Sequence, residues 1–397
     1  MSSKIFDVLV AGGGPAGSAL SLRLARAGCS VAQLERTSYE GFRVGESLPP
    51  NAARQLMRLG VWERFLETGP TEVHGVQSAW GTSELDSSSF LTNPLLKGWH
   101  VDRARFDQML SVSAREAGTQ VFTGISARHI RREADGLWSA EAAGSGGSLN
   151  LRARFLVDAA GRSGNLYTAL GTRRKTVDHL IGIAMMCSSV TTDEPMPSLI
   201  EAHPLGWWYS AGLPSGSAIA IFFTDSDICS KLELRKTFRQ VLGETQHTLQ
   251  RFESAQLTGD PRVFPAGSHC LDRASGDSWL AIGDAAIGRD PLSSSGIDFA
   301  LASAQRACEV LCSIANGMKE DLKTYDAQVR CDFEAYLAQR DAYYQMEDRW
   351  PNSPFWRRRQ SDLIPPELAP NRHNLKNSLG PAHSLPAAVE ESMPFRQ

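Results

Sequence analysis

"FDVLVAGGGPAGSALSLRLARAGCSVAQLER", running from Phe6 to Arg36, is the stretch whose reading decides the fold. An apolar run ends in three glycines, a helical pattern follows as far as Gly28, and a second apolar run closes on Glu35. That order is strand, turn, helix, strand: a βαβ unit. Gly12 permits the tight turn, Gly14 lets the backbone approach a pyrophosphate, and Gly17 lets helix and strand pack closely. The helix, opening on Pro15 and Ala16, then points its free N–H groups at the phosphates. Glu35, with Arg36 beside it, stands eighteen residues after Gly17, where an acid accepts a hydrogen bond from an adenosine ribose. A lone G-x-G-x-x-G is weak evidence, but strand, helix, second strand and acid arriving in order make a dinucleotide the expected ligand.

The motif alone does not separate NAD from FAD; later segments do. "VGESLPP" follows the second strand, "GWHVDRARFDQML" opens a helix, and "RARFLVDAAGRSG" runs from an apolar strand into a glycine-rich turn. "GDAAIGRDPLSSSGIDFAL", Gly283 to Leu301, follows a further strand and carries almost nothing bulky between Asp284 and Ile297. Such widely separated returns fit one ligand long enough to need several loops, an extended FAD. Asp284 is placed to bond a ribityl hydroxyl. The stretch from Pro291 to Gly296 offers backbone N–H groups, and the helix from Ile297 aims its positive end at the pyrimidine side of a flavin. Ser293, Ser294 and Ser295 read as helix caps, as ligand contacts, or as both at once.

With 397 residues and 42% hydrophobic content, the chain suffices for a large core and two or three domains. A net charge of −3 and a pI near 6.3 give no basic surplus for nucleic acid or an acidic membrane surface. The expected partners exclude both. The apolar run after the polar start is too short for a signal segment or a spanning helix, so a cytoplasmic location is expected. Seven cysteines show no metal or disulfide spacing, and the histidines form no ligand cluster, so no metal site is expected. The cysteines read as reduced and buried, with Cys308 and Cys312 on the apolar stripe of Ile297, Leu301, Ala304 and Leu311.

Together these segments resemble the FAD-dependent monooxygenase superfamily of the aromatic hydroxylase type, in the branch that contains the flavin-dependent halogenases. The resemblance covers roughly residues 5 to 320. It implies FAD contacts at Gly12, Gly14, Gly17, Glu35, Arg43, Ser47, Arg103, Asp284 and Gly296. Halogenation, by the same resemblance, implies a lysine after the "GES" segment and a Trp-x-Trp-x-Ile-Pro motif. No lysine lies between Glu46 and Leu96, His74 occupies the aligned position, and the tryptophan strand reads "GWWYSAGLP". "HGVQSAWG", "GWHVDRARFD" and "MEDRWPNSPFWRRR" resemble a narrower group, the flavoprotein maturases that oxidise a tryptophan inside a partner polypeptide. The maturases of lysine ε-oxidase, glycine oxidase and quinohemoprotein amine dehydrogenase are the examples. The implied activity is FAD-dependent monooxygenation of an indole side chain on a protein substrate, during biogenesis of a tryptophan-derived quinone cofactor. A hydroxylase or halogenase of a small aromatic metabolite, and a non-catalytic FAD-binding maturation chaperone, are the alternatives. No second Rossmann fingerprint is visible, so the external reductant is either NAD(P)H bound transiently or a separate flavin reductase.

The expected fold is α/β: a Rossmann-like FAD-binding domain, an antiparallel β-sheet substrate domain and a C-terminal helical segment. We divide the chain into FAD-binding parts at 1–75, 98–168 and 266–320, substrate-sheet parts at 76–97 and 169–265, a helical segment at 321–360 and a Pro-rich, poorly ordered tail at 361–397. Alternation puts Trp207 and Tyr209 on one face of the sheet and Trp208 on the other. Trp80, Trp207 and Tyr209 are candidate substrate contacts, with sheet-core packing as the plainer reading. His74 is the first acid–base candidate, or else a core or surface histidine. Glu46 is the second: it orients the flavin or substrate, or else caps the helix after Pro50. The "WRRR" segment with Trp350, Phe355 and Trp356 reads either as a protein interface or as a pin for the C-terminal helix on the FAD domain.

Overall fold

The computed structural model describes residues 4–90, 97–188, 195–229, 234–253, 255–317 and 321–360. The tail at 361–397 lies outside the described residues. Strand Ile5–Ala11 is buried along most of its length, as a strand covered on both faces must be. It pairs in parallel with Val31–Glu35 on one side and Gly147–Asp158 on the other. Gln120–Thr123 and Trp279–Ala281 extend the parallel order outward. The hairpin Ile125–Arg132 and Trp138–Gly144 adds antiparallel strands to Gly147–Asp158. Helix Pro15–Arg26 ends where Gly28 takes φ +87°, and it packs against helices Arg103–Glu116 and Gly296–Ala315. Arg103–Glu116 begins where it does because the Asp102 carboxylate accepts from the N–H groups of Ala104 and Arg105 at 2.9 and 3.1 Å.

The second sheet has seven strands: Leu257–Pro265, Leu180–Cys187, Ala218–Asp225, Gly206–Gly212, Ser198–His203, Gly75–Ala79 and Asp86–Ser89. It differs from the expected antiparallel sheet at one joint, since Ser198–His203 and Gly75–Ala79 run parallel. The central strands are buried on both faces, so alternation there selects between two cores rather than between core and water. Trp208 packs with Phe222, Phe238 and Phe252 beneath helices Leu234–Gly243 and His247–Phe252. Trp207 faces the opposite way and stacks on Phe223 with ring centroids 4.1 Å apart.

That second core is closed by the C-terminal helices Asp321–Gln345 and Pro354–Gln360. Trp80, Tyr344 and Trp356 meet edge-on or tilted, with ring centroids 5.2–5.9 Å apart. Trp356 donates to the His203 carbonyl at 2.9 Å, and Arg359 pairs with the buried Asp225 at 2.6 Å. Arg358 is spent on Asp225 and Asp227. "WRRR" therefore corrects both sequence readings: Trp356, Arg358 and Arg359 pin the last helix to the seven-stranded sheet, and two of the three arginines are neutralised there. The cysteine reading is corrected too. None of the seven is in a disulfide, but only Cys187 and Cys270 are buried and Cys331 is exposed; Cys308 and Cys312 sit half-buried at the edge of their helix stripe.

Trp356→Ala removes a fully buried indole from this junction and is expected to cost about 3–5 kcal/mol. Urea unfolding followed by tryptophan fluorescence measures it.

Candidate active site

The strand ends Ala11 and Glu35 of the parallel sheet, with Ala159 just after its neighbour Gly147–Asp158, face the seven-stranded sheet across a cavity of about 820 Å³. Ligand crevices of open α/β sheets lie at these carboxyl ends. The glycine turn, the Arg43–Ser47 segment, the Ala159–Leu166 loop and the Asp284–Ile297 region line one side. Tyr209, Ile221, Phe223 and Phe264 line the other.

The three motif glycines divide their work. Gly12 has φ +124°, and a Cβ there would lie 2.1 Å from the Ala159 carbonyl oxygen. A Cβ on Gly17 would lie 2.0 Å from the Gly12 oxygen, whereas one on Gly14 would meet nothing within 4 Å. Gly12 and Gly17 allow close packing, and Gly14 leaves space in front of the helix. Pro15 and Ala16 line the cavity; Gly17 does not. Glu35 accepts from the Gly13 N–H at 2.8 Å and the Thr37 N–H at 3.0 Å, so it shapes the turn and keeps lone pairs for a ligand. Arg43 bridges Glu35 and the buried Asp107, at 3.4 and 2.7 Å. Arg103 also pairs with Asp107 and donates to the Val44 carbonyl. Arg36 and Ser47 complete that wall.

On the Gly283–Leu301 side, Asp284 pairs with Arg162 at 2.8 Å. Arg162 also donates to the carbonyls of Gly267 and Arg289. Asp290 accepts from the Leu292 N–H at 2.9 Å, closing the turn Pro291–Ser293. Ser295 then precedes helix Gly296–Ala315 without any side-chain cap. The serine-capping reading is thus corrected: Ser293 and Ser295 bond each other at 2.8 Å, leaving the helix start open. A Cβ on Gly296 would also meet nothing within 4 Å. Helix Pro15–Arg26 likewise has no side-chain cap. Two uncapped helix starts with glycine-shaped clearance, both on one cavity with Pro291, Gly296 and Ile297, fit a dinucleotide. Its pyrophosphate suits the first, and the electron-rich edge of a flavin suits the second.

Glu46 is buried in this cavity wall, 3% exposed. Its carboxylate accepts from the Gly45 N–H at 3.0 Å and lies beside the Tyr209 phenol. Burial pushes the carboxyl above its ordinary range, against the pull of Tyr209, the Gly45 N–H and Arg103. Burial, reinforced by Glu46, pushes the Tyr209 phenol well up. Glu46 does not cap helix Pro50–Arg58, whose start is Pro49 with no side-chain bond.

Three expected residues are elsewhere. His74 is exposed and does not line the cavity; its carbonyl accepts from the Phe90 N–H at 2.8 Å. It links Thr71–Val73 of a small three-stranded sheet to Gly75–Ala79 of the large one, and a residue at that crossing belongs to neither interior. Trp80 and Trp207 are core, donating to the Tyr343 carbonyl at 2.8 Å and the Tyr344 hydroxyl at 3.0 Å. Lys97 is a half-buried partner of Glu72, and among the described residues no lysine lines the cavity. Arg162 escaped the sequence reading: the "DAAGRSG" turn was visible, but its bonding partners lie more than a hundred residues away.

The tryptophan halogenase profile matches residues 83–390, most of the chain. The chain belongs to the tryptophan halogenase family. LodB of Marinomonas mediterranea, named as an FAD-dependent oxidoreductase, is 31% identical across 90% of this chain and 97% of its own length. A Pseudomonas fluorescens chlorinase, named for 1H-pyrrole-2-carbonyl on a peptidyl-carrier protein, is 27% identical over 87% of this chain and 85% of its own. The solved structure of the peptidyl tryptophan dihydroxylase QhpG shares the fold, with a TM-score of 0.76 at 22% identity over 91% of this chain and 80% of that one. As a member of this halogenase and monooxygenase family, the protein is an FAD-dependent oxidoreductase that works with an externally supplied reductant. No helix among the described residues is long and apolar enough to cross a membrane.

Gly12→Ala and Gly14→Leu should separate the two glycine roles. The first forces a strained backbone costing about 1–3 kcal/mol and lowers the melting temperature of the apoprotein. The second leaves apoprotein melting near wild type and abolishes FAD retention on gel filtration.

Proposed function

We propose that this enzyme is an FAD-dependent monooxygenase that hydroxylates an indole, a tryptophan of a partner polypeptide, during biogenesis of a tryptophan-derived quinone cofactor. The observation that carries the reading is the buried Glu46 carboxyl beside Tyr209 in a cavity that no lysine lines among the described residues. Halide capture calls for a fixed cation of that kind, whereas hydroxylation of an aromatic ring calls for a group that takes up the proton the ring releases. FAD, when bound and reduced, supplies the activation of molecular oxygen. Glu46, as the carboxylate, accepts the proton lost from the ring carbon that gains oxygen and becomes the neutral acid, with the Tyr209 phenol beside it. Ile221, Phe223 and Phe264 keep that wall apolar and limit water at the reacting atoms.

A protein substrate is supported by two relatives. QhpG is named for peptidyl tryptophan and for tryptophylquinone biogenesis, and the chlorinase is named for a carrier-protein-bound ring. The near full-length likeness to LodB is compatible with either size of substrate. A small-molecule hydroxylase or halogenase is the second reading, favoured by the family match itself. A flavin reductase or NAD(P)H serves as the electron source in both.

Co-expression with a tryptophan-bearing partner, followed by peptide mass spectrometry, tests the proposal: oxygen added to one tryptophan supports it, and a halogenated product contradicts it. Glu46→Gln should lower the yield roughly ten- to ten-thousand-fold, while His74→Ala leaves it unchanged. Because burial raises the Glu46 carboxyl, the base form is lost as pH falls through that raised midpoint. Wild-type turnover should therefore decline at a higher pH than an ordinary carboxylate would impose.

A further inference from the structure

The seven-stranded sheet has one edge beside the cavity. Its outermost strand there is Leu257–Pro265, and the stretch from Arg262 to Ala266 lines the cavity. The strand pairs antiparallel with Leu180–Cys187, matching Gly182 to Phe264 and Ala184 to Arg262. In the same register the Ala266 N–H donates to the Leu180 carbonyl at 2.9 Å. Antiparallel bonding alternates from residue to residue, so Phe264 and Arg262 also turn their backbone groups inward, and Val263 and Pro265 turn theirs outward. Proline has no N–H to offer at 265, and none at 261. Val263, 47% exposed, therefore presents an outward N–H and C=O between two residues that have no N–H at all.

Open strand edges recruit other chains, and proteins blunt them with prolines and charge. Here the blunting leaves an opening two hydrogen bonds wide, at the mouth of the cavity. The side chains around it divide by face. Arg262 and Phe264 share one side, and Phe264 meets Phe223 of the cavity wall edge-on, with ring centroids 6.0 Å apart. Arg262 is exposed, with its guanidinium 5.0 Å from the ring centroid of Phe42, which also lines the cavity. No carboxylate of a described residue forms an ion pair with Arg262, so it offers an uncompensated charge beside the open backbone pair.

We infer that this edge is where the polypeptide substrate docks: an extended segment adds antiparallel to Leu257–Pro265, exchanges both backbone bonds with Val263, and carries an acidic residue two positions after its target tryptophan. The residue opposite Val263 points away from the cavity, and its two neighbours point toward it. In antiparallel order the preceding neighbour lies by Phe264 and enters the cavity as the indole. The following neighbour lies by Arg262 and meets it with a carboxylate. Main-chain bonds hold the segment and the alternate side chains select it. The inference rests on the proposed polypeptide substrate and adds how that chain is held.

The test is retention of the purified holoenzyme, read as flavin eluted from each spot, on an array of short peptides. Each peptide holds one central tryptophan, and Asp, Lys or Ala is stepped through the other positions. Retention should peak with Asp two residues after the tryptophan. Val263→Pro removes only an N–H that the sheet does not use, so FAD content is kept while retention falls about three- to ten-fold, the equivalent of one hydrogen bond. Val263→Thr keeps the N–H and should bind as wild type. Arg262→Glu should move the preference at that position from Asp to Lys. Retention of no peptide, retention indifferent to where the Asp stands, wild-type retention in Val263→Pro, or an Asp preference that survives Arg262→Glu would each overturn the proposal. The substrate reading fails separately, by the absence of oxygen on any tryptophan of a co-expressed partner; an oxygenated partner without an array preference sinks the docking alone.

Discussion

The buried carboxylate of Asp290 is the point on which the rest of the structure hangs. One oxygen closes the Pro291–Ser293 turn through the Leu292 N–H; the other accepts from the Tyr344 hydroxyl at 2.7 Å. Tyr344 in turn accepts from the Trp207 indole at 3.0 Å. The Asp290 N–H reaches Tyr336, and Arg340 stands 3.6 Å from the carboxylate. Burial opposes the charge of Asp290, and Arg340 restores much of it. Breaking one partner of so buried an ion pair costs far more than the pair contributes over an apolar substitute. The flavin-side loop, the C-terminal helix and the large sheet are therefore held in one arrangement by side chains distant in sequence.

This explains what could be read from the chain and what could not. The glycine turn, Glu35 and the bare start of the Gly296 helix are local features, since each requirement is met within a few residues of the motif that announces it. Their placement around one cavity followed from the βαβ order. Trp80 and Trp207 looked like substrate contacts because aromatic side chains on a strand say nothing about what covers them; the cover is Tyr344 and Trp356, from the other end of the chain. His74 looked like an acid–base group by alignment with a halogenase position, yet it falls where the chain passes between two sheets. Arg162 lies inside the legible "DAAGRSG" turn, but its role was not legible there, because its partners lie in loops more than a hundred residues away.

The chain has the scaffold of the tryptophan halogenase family, and the proposed hydroxylation asks for a proton acceptor at its cavity. The cavity wall carries the buried Glu46 carboxyl beside the Tyr209 phenol, and among the described residues no lysine lines it. A carboxyl held at raised proton affinity suits a reaction in which an aromatic ring gains oxygen and loses a proton.

The most direct measurement is a single turnover of the reduced holoenzyme with isotopically labelled oxygen gas, a tryptophan-bearing polypeptide and bromide, read by mass spectrometry of the product. The account predicts labelled oxygen on the indole and no dependence on bromide. A brominated indole without oxygen label would contradict it.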